Sequence, residues 1–146
     1  MYLAFFIVAI ALDRLTKYLV SSGMELYDII EIIPGFLSLN YVHNTGAAFS
    51  ILEGKLVFFI VFTVLALVLV TYLWRHSVRE QKLFRFSLVM LASGAVGNLI
   101  DRIFYGYVVD FMELWIIPIF NVADMLIVFS VILIVWNLLF SKKSFF

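Results

Sequence analysis

The sequence predicts an all-α membrane protein with four transmembrane helices and a small extracytoplasmic β hairpin or sheet. The chain is 65% hydrophobic and only 14% charged, whereas a soluble domain is about 45–50% apolar. Four of its apolar segments approach the roughly 20 residues that a helix needs to cross a bilayer. The charged residues lie unevenly around these segments, so they also indicate which side of the membrane each connection faces.

The four predicted spans form a single domain, 1–146, and cover about residues 1–20, 56–74, 83–103 and 120–140. The first apolar run lacks a basic n-region and a small-residue cleavage pattern, so we expect it to remain as a span rather than to be removed as a signal peptide. The connections are an outer loop at about 21–55, a cytoplasmic loop at 75–82 and an outer loop at 104–119.

The loop between the second and third spans sets the orientation. The segment WRHSVREQKLFR and the C-terminal SKKSFF together hold six of the ten basic residues but only one acid, Glu80. Cytoplasmic segments of membrane proteins carry such an excess of lysine and arginine. This loop and both termini are therefore predicted to be cytoplasmic.

The first outer connection contains signals for β structure. Ile32 and Ile33 precede the turn pair Pro34 and Gly35, and the alternating segment LSLNYV follows at 37–42. Apolar alternation on both sides of a proline-glycine turn is typical of a hairpin. We expect this hairpin to lie on the outer surface of the bilayer.

Polar residues of the first and third spans fall at the same depth, near the outer surface. Asp13 and Lys17 lie one helical turn apart in the first span, where they can pair, where Lys17 can snorkel to the headgroups, or where they can contact a substrate. The third span ends with Asn98, Asp101 and Arg102. Taken singly, Asn98 fits a hydrogen bond between helices and Arg102 fits an interfacial anchor.

Two aspartates join this group from the C-terminal part of the chain. Asp124 lies about one turn inside the fourth span, and Asp110 lies in the outer connection before it. Ionisable groups at bilayer depth usually face the bundle interior or a water-filled cavity, because exposure to lipid costs several kcal/mol. The convergence therefore predicts a cavity that opens outward.

The available side chains limit the chemistry of such a cavity. The chain has no cysteine, and its only histidines, His43 and His76, are predicted on opposite sides of the membrane, so no metal site is expected. Lys17 and Ser21 are one turn apart, which is the spacing of a serine nucleophile and a lysine base. Such a spacing arises often by chance.

An aspartate pair is the better-supported alternative. If Asp110 and Asp124 share one cavity, repulsion and desolvation favour a state with one proton between them. One carboxylate can then activate water while its partner protonates a leaving amine. The spacing alone equally allows a proton relay or a cation site, as in a small coupled transporter.

Five segments, in order along the chain, resemble the lipoprotein signal peptidases, also called signal peptidase II, which are bacterial intramembrane aspartyl peptidases. The segments are DRLTK at 13–17, NTGAAF at 44–49, GAVGNLIDR at 94–102, VVDF at 108–111 and FNVAD at 120–124. The resemblance covers nearly the whole chain. It also implies a membrane-surface helix or lid near the third connection, where the segment MELWIIPIF at 112–120 gives a weak signal for it.

The resemblance implies roles for individual residues. Asp110 and Asp124 would form the catalytic dyad. The residues that would line the site and hold the substrate backbone are Asn44, Gly46, Asn98, Arg102 and Asn121, and those that would support it are Asp13, Lys17 and Asp101.

The resemblance also implies the substrate and the location. The substrate would be a prolipoprotein whose diacylglyceryl-modified cysteine directly follows the cleaved bond. We expect a monomer in the bacterial inner membrane, with its site facing outward, surrounded by membrane lipids, without a cofactor or metal and without a nucleic-acid partner. The alternative from another class is a small proton- or cation-coupled transporter.

Overall fold

The computed structural model describes residues 1–46 and 54–140, which form four α-helices and four β-strands. In chain order these elements are α1 (Tyr2–Gly23), β1 (Ile29–Ile33), β2 (Leu37–Asn44), α2 (Leu56–His76), α3 (Lys82–Tyr105), β3 (Val108–Leu114), β4 (Ile117–Phe120) and α4 (Val122–Phe140). The last three residues of the NTGAAF segment and the basic Lys142 and Lys143 lie outside the described residues.

Helix α3 is the centre of the bundle, because α1, α2 and α4 all pack against it. Two glycines on α3 let the backbones of α1 and α4 approach it closely. A Cβ atom at Gly94 would collide with the Ala123 carbonyl of α4, and one at Gly97 would lie 2.8 Å from a carboxylate oxygen of Asp13 on α1. The small residues near the end of α3 therefore set the helix spacing around the polar residues that follow them.

The outer surfaces of the helices are apolar, as expected of a bundle in lipid. Large side chains such as Leu3, Phe62 and Leu139 are exposed. Three helices, α2, α3 and α4, are long and apolar enough to cross a membrane. Helix α1 has 22 residues but carries three charged ones, so the described part of the chain contains three candidate spans rather than the four expected.

The strands form one antiparallel sheet in the order β1-β2-β3-β4. Strands β1 and β2 form the predicted hairpin, and its turn residue Gly35 has a φ of 69°, a left-handed conformation that glycine adopts without strain. Strand β2 then pairs with β3, with Val42 opposite Asp110. This pairing joins the connection between α1 and α2 to the connection between α3 and α4 in a single sheet.

The membrane-surface helix expected in MELWIIPIF is wrong, because that stretch forms the β3–β4 hairpin. Leu114 pairs with Ile117 across a turn in which Trp115 has a φ of 47°. Strand β2 supplies hydrogen-bond partners for β3, and the branched and aromatic side chains of the stretch favour strands. Pro118, which cannot donate a backbone hydrogen bond, lies on the edge strand β4, where proline is tolerated.

One face of the sheet packs against the end of α1. Val20 of α1, Tyr41 of β2, and Val109 and Phe111 of β3 form a buried apolar cluster. Because successive side chains of a strand point to opposite faces, Asp110 points away from this cluster. The sheet thereby holds Asp110 over the helix bundle.

Candidate active site

Asp110 lies on β3, where the register of the sheet brings Asn44 beside it. Asn44 pairs with Val108, two residues from Asp110 and therefore on the same face. The Asn44 amide donates a hydrogen bond of 2.8 Å to Asp110 Oδ2. Asp110 is only 2% exposed, so this donor replaces water that the carboxylate loses on burial.

Asp124 lies in the first turn of α4 and is held by that helix terminus. Its backbone N–H donates to Asn121 Oδ1 at 2.9 Å, and the Asn121 backbone N–H donates to Asp124 Oδ2 at 3.1 Å. This reciprocal pair has the geometry of a capping box. The positive end of the helix dipole also favours a carboxylate at this position.

Two asparagine side chains connect the carboxylates. The Asn121 amide donates to Asp110 Oδ1 at 2.6 Å, and the Asn98 amide donates to Asp124 Oδ1 at 2.7 Å. The two amides also contact each other, because Asn121 Nδ2 donates to Asn98 Oδ1 at 3.1 Å. Each carboxylate oxygen of the pair therefore accepts a defined hydrogen bond, which fixes the orientation of both groups.

The environment of Asp110 favours its protonated form. Burial, followed by repulsion from Asp124, raises the pKa of Asp110 from 3.8 to about 7, although the Asn44 and Asn121 hydrogen bonds oppose this shift. A carboxyl group with such a pKa is divided between its two protonation states near neutral pH. The pair can therefore provide an acid and a base together.

An ion network lies behind the asparagines. Lys17 Nζ is 3.1 Å from Asp13 Oδ2 and 2.7 Å from Asp101 Oδ2, and it donates to Asn98 Oδ1 at 2.9 Å. The predicted pairing of Asp13 with Lys17 is confirmed, and Lys17, at 3% exposed, does not snorkel. The other Asp13 oxygen accepts the Ala123 backbone N–H at 3.0 Å, so the network also anchors α4.

Arg14 belongs to this network and was not singled out from the sequence. Its guanidinium donates to Asp13 at 2.9 Å, to Asp101, and to the Gly97 carbonyl at 3.1 Å. Together, Arg14 and Lys17 neutralise the buried carboxylates of Asp13 and Asp101. Its position three residues before Lys17, on the same side of a helix, was the signal that could have identified it.

The carboxylates lie beside a cavity of about 500 Å³ between α2, α3, α4 and the sheet. The predicted site residues that line it are Asn44, Gly46, Asn98, Arg102, Asp110 and Asp124, whereas Asn121 lies beneath them. Arg102 lies over the Phe59 ring at 5.0 Å, which directs a cation toward the cavity. Apolar residues of α2 and α4, such as Phe62 and Ile127, form the deeper walls.

Other sequence candidates lie elsewhere or are engaged differently. Ser21 is exposed and donates to the Tyr18 carbonyl at 3.2 Å, while Lys17 is committed to the ion network, so the serine–lysine alternative has no geometric support. His43 was expected in a loop but lies on β2, stacked on Tyr107 and bonded to the Tyr41 hydroxyl at 2.8 Å. Within residues 1–46 and 54–140 no cluster suited to a metal is found.

These features define a class: a helical membrane protein with a paired-carboxylate site under a small sheet at one end of the bundle. The family described as Signal peptidase (SPase) II matches residues 5–140. The chain belongs to this family.

Individual relatives agree with this assignment. The chain is 42% identical to the lipoprotein signal peptidase of Moorella thermoacetica, over 94% of this chain and 92% of the relative. It is 42% identical to that of Enterococcus faecalis, over 92% and 85%. Two solved structures of a bacterial membrane enzyme, determined by the in meso method, are each 34% identical to this chain. The first has a TM-score of 0.91, and its alignment covers 98% of this chain and 92% of that one. The second has a TM-score of 0.88, with coverages of 97% and 94%.

Family membership and the site geometry leave the transporter alternative without support. The ion pairs of the described residues join only Asp13, Arg14, Lys17 and Asp101, which all lie in the half of the bundle near the sheet. A relay across the membrane needs ionisable groups at further depths. The chain is a membrane peptidase of the signal peptidase II family.

Proposed function

We propose that this chain cleaves the signal peptide from diacylglyceryl-modified prolipoproteins, directly before the lipidated cysteine, with Asp110 and Asp124 as the catalytic pair. One observation carries the proposal. Carboxylates from two separate elements, strand β3 and helix α4, line the same cavity and are joined through the Asn98 and Asn121 amides. A purely structural bundle would not need two carboxylates in contact with an open cavity.

The proposed mechanism uses the unequal protonation of the pair. The ionised carboxylate takes a proton from a water molecule as that water attacks the scissile carbonyl. The protonated partner donates a hydrogen bond to the carbonyl oxygen and later gives its proton to the leaving amine. This sequence needs no covalent intermediate and no cofactor.

Residues around the pair are suited to hold an extended peptide. Asn44, Gly46 and Arg102 all line the cavity, and Arg102 donates a hydrogen bond of 3.5 Å to the Gly46 carbonyl. Gly46 N–H donates to Asn44 Oδ1 at 2.9 Å, which orients the amide that contacts Asp110. We propose that these groups and Asn98 hold the substrate backbone, a positioning effect that can supply much of the rate. Asn121 was expected to hold the backbone as well, but it is fully buried outside the cavity lining, so its proposed part is to orient Asp110 from beneath.

The cavity shape supports a substrate that arrives through the membrane. Below the carboxylates the walls are formed by Phe62 and Ala66 of α2 and by Ile127 and Val128 of α4. An apolar wall that continues into the bundle suits an apolar signal helix and acyl chains better than a soluble peptide. Unlipidated peptide is therefore expected to be a poor substrate, and equal cleavage of lipidated and unlipidated peptide would contradict this part of the proposal.

The proposed topology has four crossings, with α1 as the first, both termini in the cytoplasm of the bacterial cell, and the carboxylates facing outward. The three charged residues of α1 do not oppose this, because Asp13, Arg14 and Lys17 pair with one another and with Asp101. The protein is proposed to act as a monomer in the inner membrane.

The catalytic proposal is tested by cleavage of a lipidated prolipoprotein peptide by detergent-purified variants. Asp110→Asn and Asp124→Asn are each expected to lower kcat by about 10²- to 10⁴-fold, because an amide cannot exchange the proton. Ser21→Ala is the matched control and should retain full activity. Substantial activity of either asparagine variant, or loss in Ser21→Ala alone, would refute the aspartyl mechanism.

The topology is tested separately by cysteine labelling, since the natural chain has no cysteine. With an impermeant reagent on intact cells, a cysteine in place of Ser38 should react, and one in place of Glu80, which is exposed in the predicted cytoplasmic loop, should not. The opposite pattern would reverse the orientation.

A further inference from the structure

A second apolar groove lies at the end of the bundle opposite the carboxylates. It has a volume of about 490 Å³ and is bounded by the start of α1, the end of α2 and the first half of α3. Its walls include Tyr2, Phe6, Trp74, Leu88 and Ala92. The groove is thus open to lipid between α1 and α2, with α3 as its floor, and the proposed peptidase mechanism does not use it.

Two basic residues, Arg85 and Lys82, lie next to the aromatic residues at one end of this groove. Arg85 lies 4.2 Å from the centre of the Trp74 ring and 5.9 Å from that of Tyr2. Lys82 is exposed next to it, and the Tyr2 hydroxyl donates to the Lys82 carbonyl at 3.4 Å. None of the ion pairs among the described residues neutralises Arg85 or Lys82.

The same region presents donors without acceptors. The indole N–H of Trp74 and the Nε–H of Arg85 are buried without a hydrogen-bond partner. Helix α3 begins here at Lys82, and the positive end of its dipole adds to the potential of these cations. The Arg85 guanidinium also donates to the Ser77 carbonyl at 3.4 Å through Nη1, but no acidic group among the described ion pairs neutralises it, so an anion rich in acceptor oxygens would complement the charges of Arg85 and Lys82.

From this arrangement we infer that the groove binds an anionic phospholipid of the adjacent leaflet, with an acyl chain between α1 and α2 and the phosphate at Arg85 and Lys82. Basic pockets between transmembrane helices are suited to such headgroups. A substrate signal helix is the other apolar occupant to consider. Its N-terminal region is positively charged and would be repelled by these cations, so charge complementarity favours the lipid.

Tryptophan fluorescence can test the site directly. Of the three tryptophans, Trp74 lines the groove, and Trp136 of α4 is exposed outside it. Two single-tryptophan proteins are needed, one retaining Trp74 and the other retaining Trp136. Each is titrated in neutral detergent at about 0.15 M salt, where charges beyond about 8 Å are screened, with phosphatidylglycerol or phosphatidylcholine carrying identical brominated acyl chains.

The expected result is that phosphatidylglycerol quenches Trp74 at a lower mole fraction than phosphatidylcholine, whereas Trp136 does not distinguish the two lipids. Arg85→Gln and Lys82→Gln should each require roughly fivefold more phosphatidylglycerol, and Arg85→Lys should restore binding. Ala92→Leu, which fills the floor without changing charge, should reduce quenching by both lipids.

Matched controls separate this site from diffuse attraction. Arg75→Gln and Arg79→Gln remove exposed cations from the same end of the bundle and should shift the titration less than the groove variants. Equal quenching by the two lipids, an equal shift in these controls, or release of quenching by lipidated substrate peptide would each refute the lipid site. Cleavage activity does not enter the readout, so the result stands independently of the proposed peptidase activity.

Discussion

The contact between α3 and α4 at Gly94 offers a sharp test of how the bundle positions the carboxylates. A Cβ atom at this position would overlap the Ala123 carbonyl oxygen and lie 2.9 Å from Ile127 Cγ1, whereas ordinary contact begins at 3.4 Å. Backbone atoms cannot move aside as a flexible side chain can. Gly94→Ala therefore has to displace the start of α4, where Asp124 lies, by about 0.5 Å or more.

The displacement should lower both stability and turnover. Overpacking of a core contact costs typically about 1–3 kcal/mol of folding free energy. A misplacement of about 1 Å can reduce a rate about 10²-fold, so about half that shift predicts a loss in kcat of roughly tenfold. KM should change less, because the atoms nearest to the new methyl group belong to α4, whereas much of the cavity wall is contributed by α2 and the sheet.

Thermal unfolding and steady-state cleavage of lipidated peptide measure these effects in detergent. Gly23→Ala is the matched control, since a methyl group there meets nothing within 4 Å and alanine favours helix. It should retain activity and not lose stability. If Gly94→Ala matched this control in both Tm and kcat, the close approach of α3 and α4 would not govern the position of Asp124.

Three further predictions follow from the network around the site. The pKa of Asp110 is about 7 in the folded protein and 3.8 in the unfolded chain, so its contribution to folding stability is complete below pH 3.8 and is lost as the pH rises through about 7. The kcat should also fall above about pH 7. Asp110→Asn should flatten the dependence of stability on pH that thermal unfolding measures. Lys17→Met removes a positive charge that neutralises Asp13 and Asp101, so it should lower the free energy of unfolding by about 3–5 kcal/mol in a denaturation assay. The exposed control Lys55→Met should not. Asn121→Ala removes the 2.6 Å hydrogen bond to Asp110 and should cost about 1–3 kcal/mol with a lower kcat; unchanged kinetics would show that this amide does not orient the pair.

The helices could be predicted from the sequence because their signals are local. The apolar segments at 56–74 and 83–103 correspond to helices Leu56–His76 and Lys82–Tyr105. Hydropathy determines such spans because a backbone in lipid must satisfy its own hydrogen bonds. The first hairpin was predictable for a similar reason, since the turn pair Pro34 and Gly35 lies between two apolar runs.

The sheet as a whole was not predictable, because its central pairing is non-local. Val42 and Asp110 lie opposite each other although two long helices separate them in the chain. Without β2 as a partner, MELWIIPIF offers only a short apolar run, which fits a helix as well as a strand. The closeness of Asn44 to Asp110 could therefore not be predicted from the sequence, because it depends on the register between β2 and β3.

Most residues of the polar site could be predicted from the sequence, but Arg14 and the hydrogen bonds that connect the residues could not. Depth along the spans indicated that Asn98, Asp101 and Asp124 converge. Distances alone could show that Asn121 contacts both carboxylates and that Arg14 joins Asp13 to Asp101. Side-chain hydrogen bonds between helices depend on rotation about each helix axis, which periodicity leaves open.

The order of the elements along the chain also has a consequence for biogenesis. Asp110 and Asp124 both follow residue 105, where α3 ends, and the β2–β3 pairing cannot form until β3 has emerged. During synthesis, a nascent chain with three helices inserted would hold Asn98 and the Asp13–Lys17 pair but neither carboxylate of the site. Under the proposed mechanism, the chain therefore gains hydrolytic capacity only when the last helix has inserted.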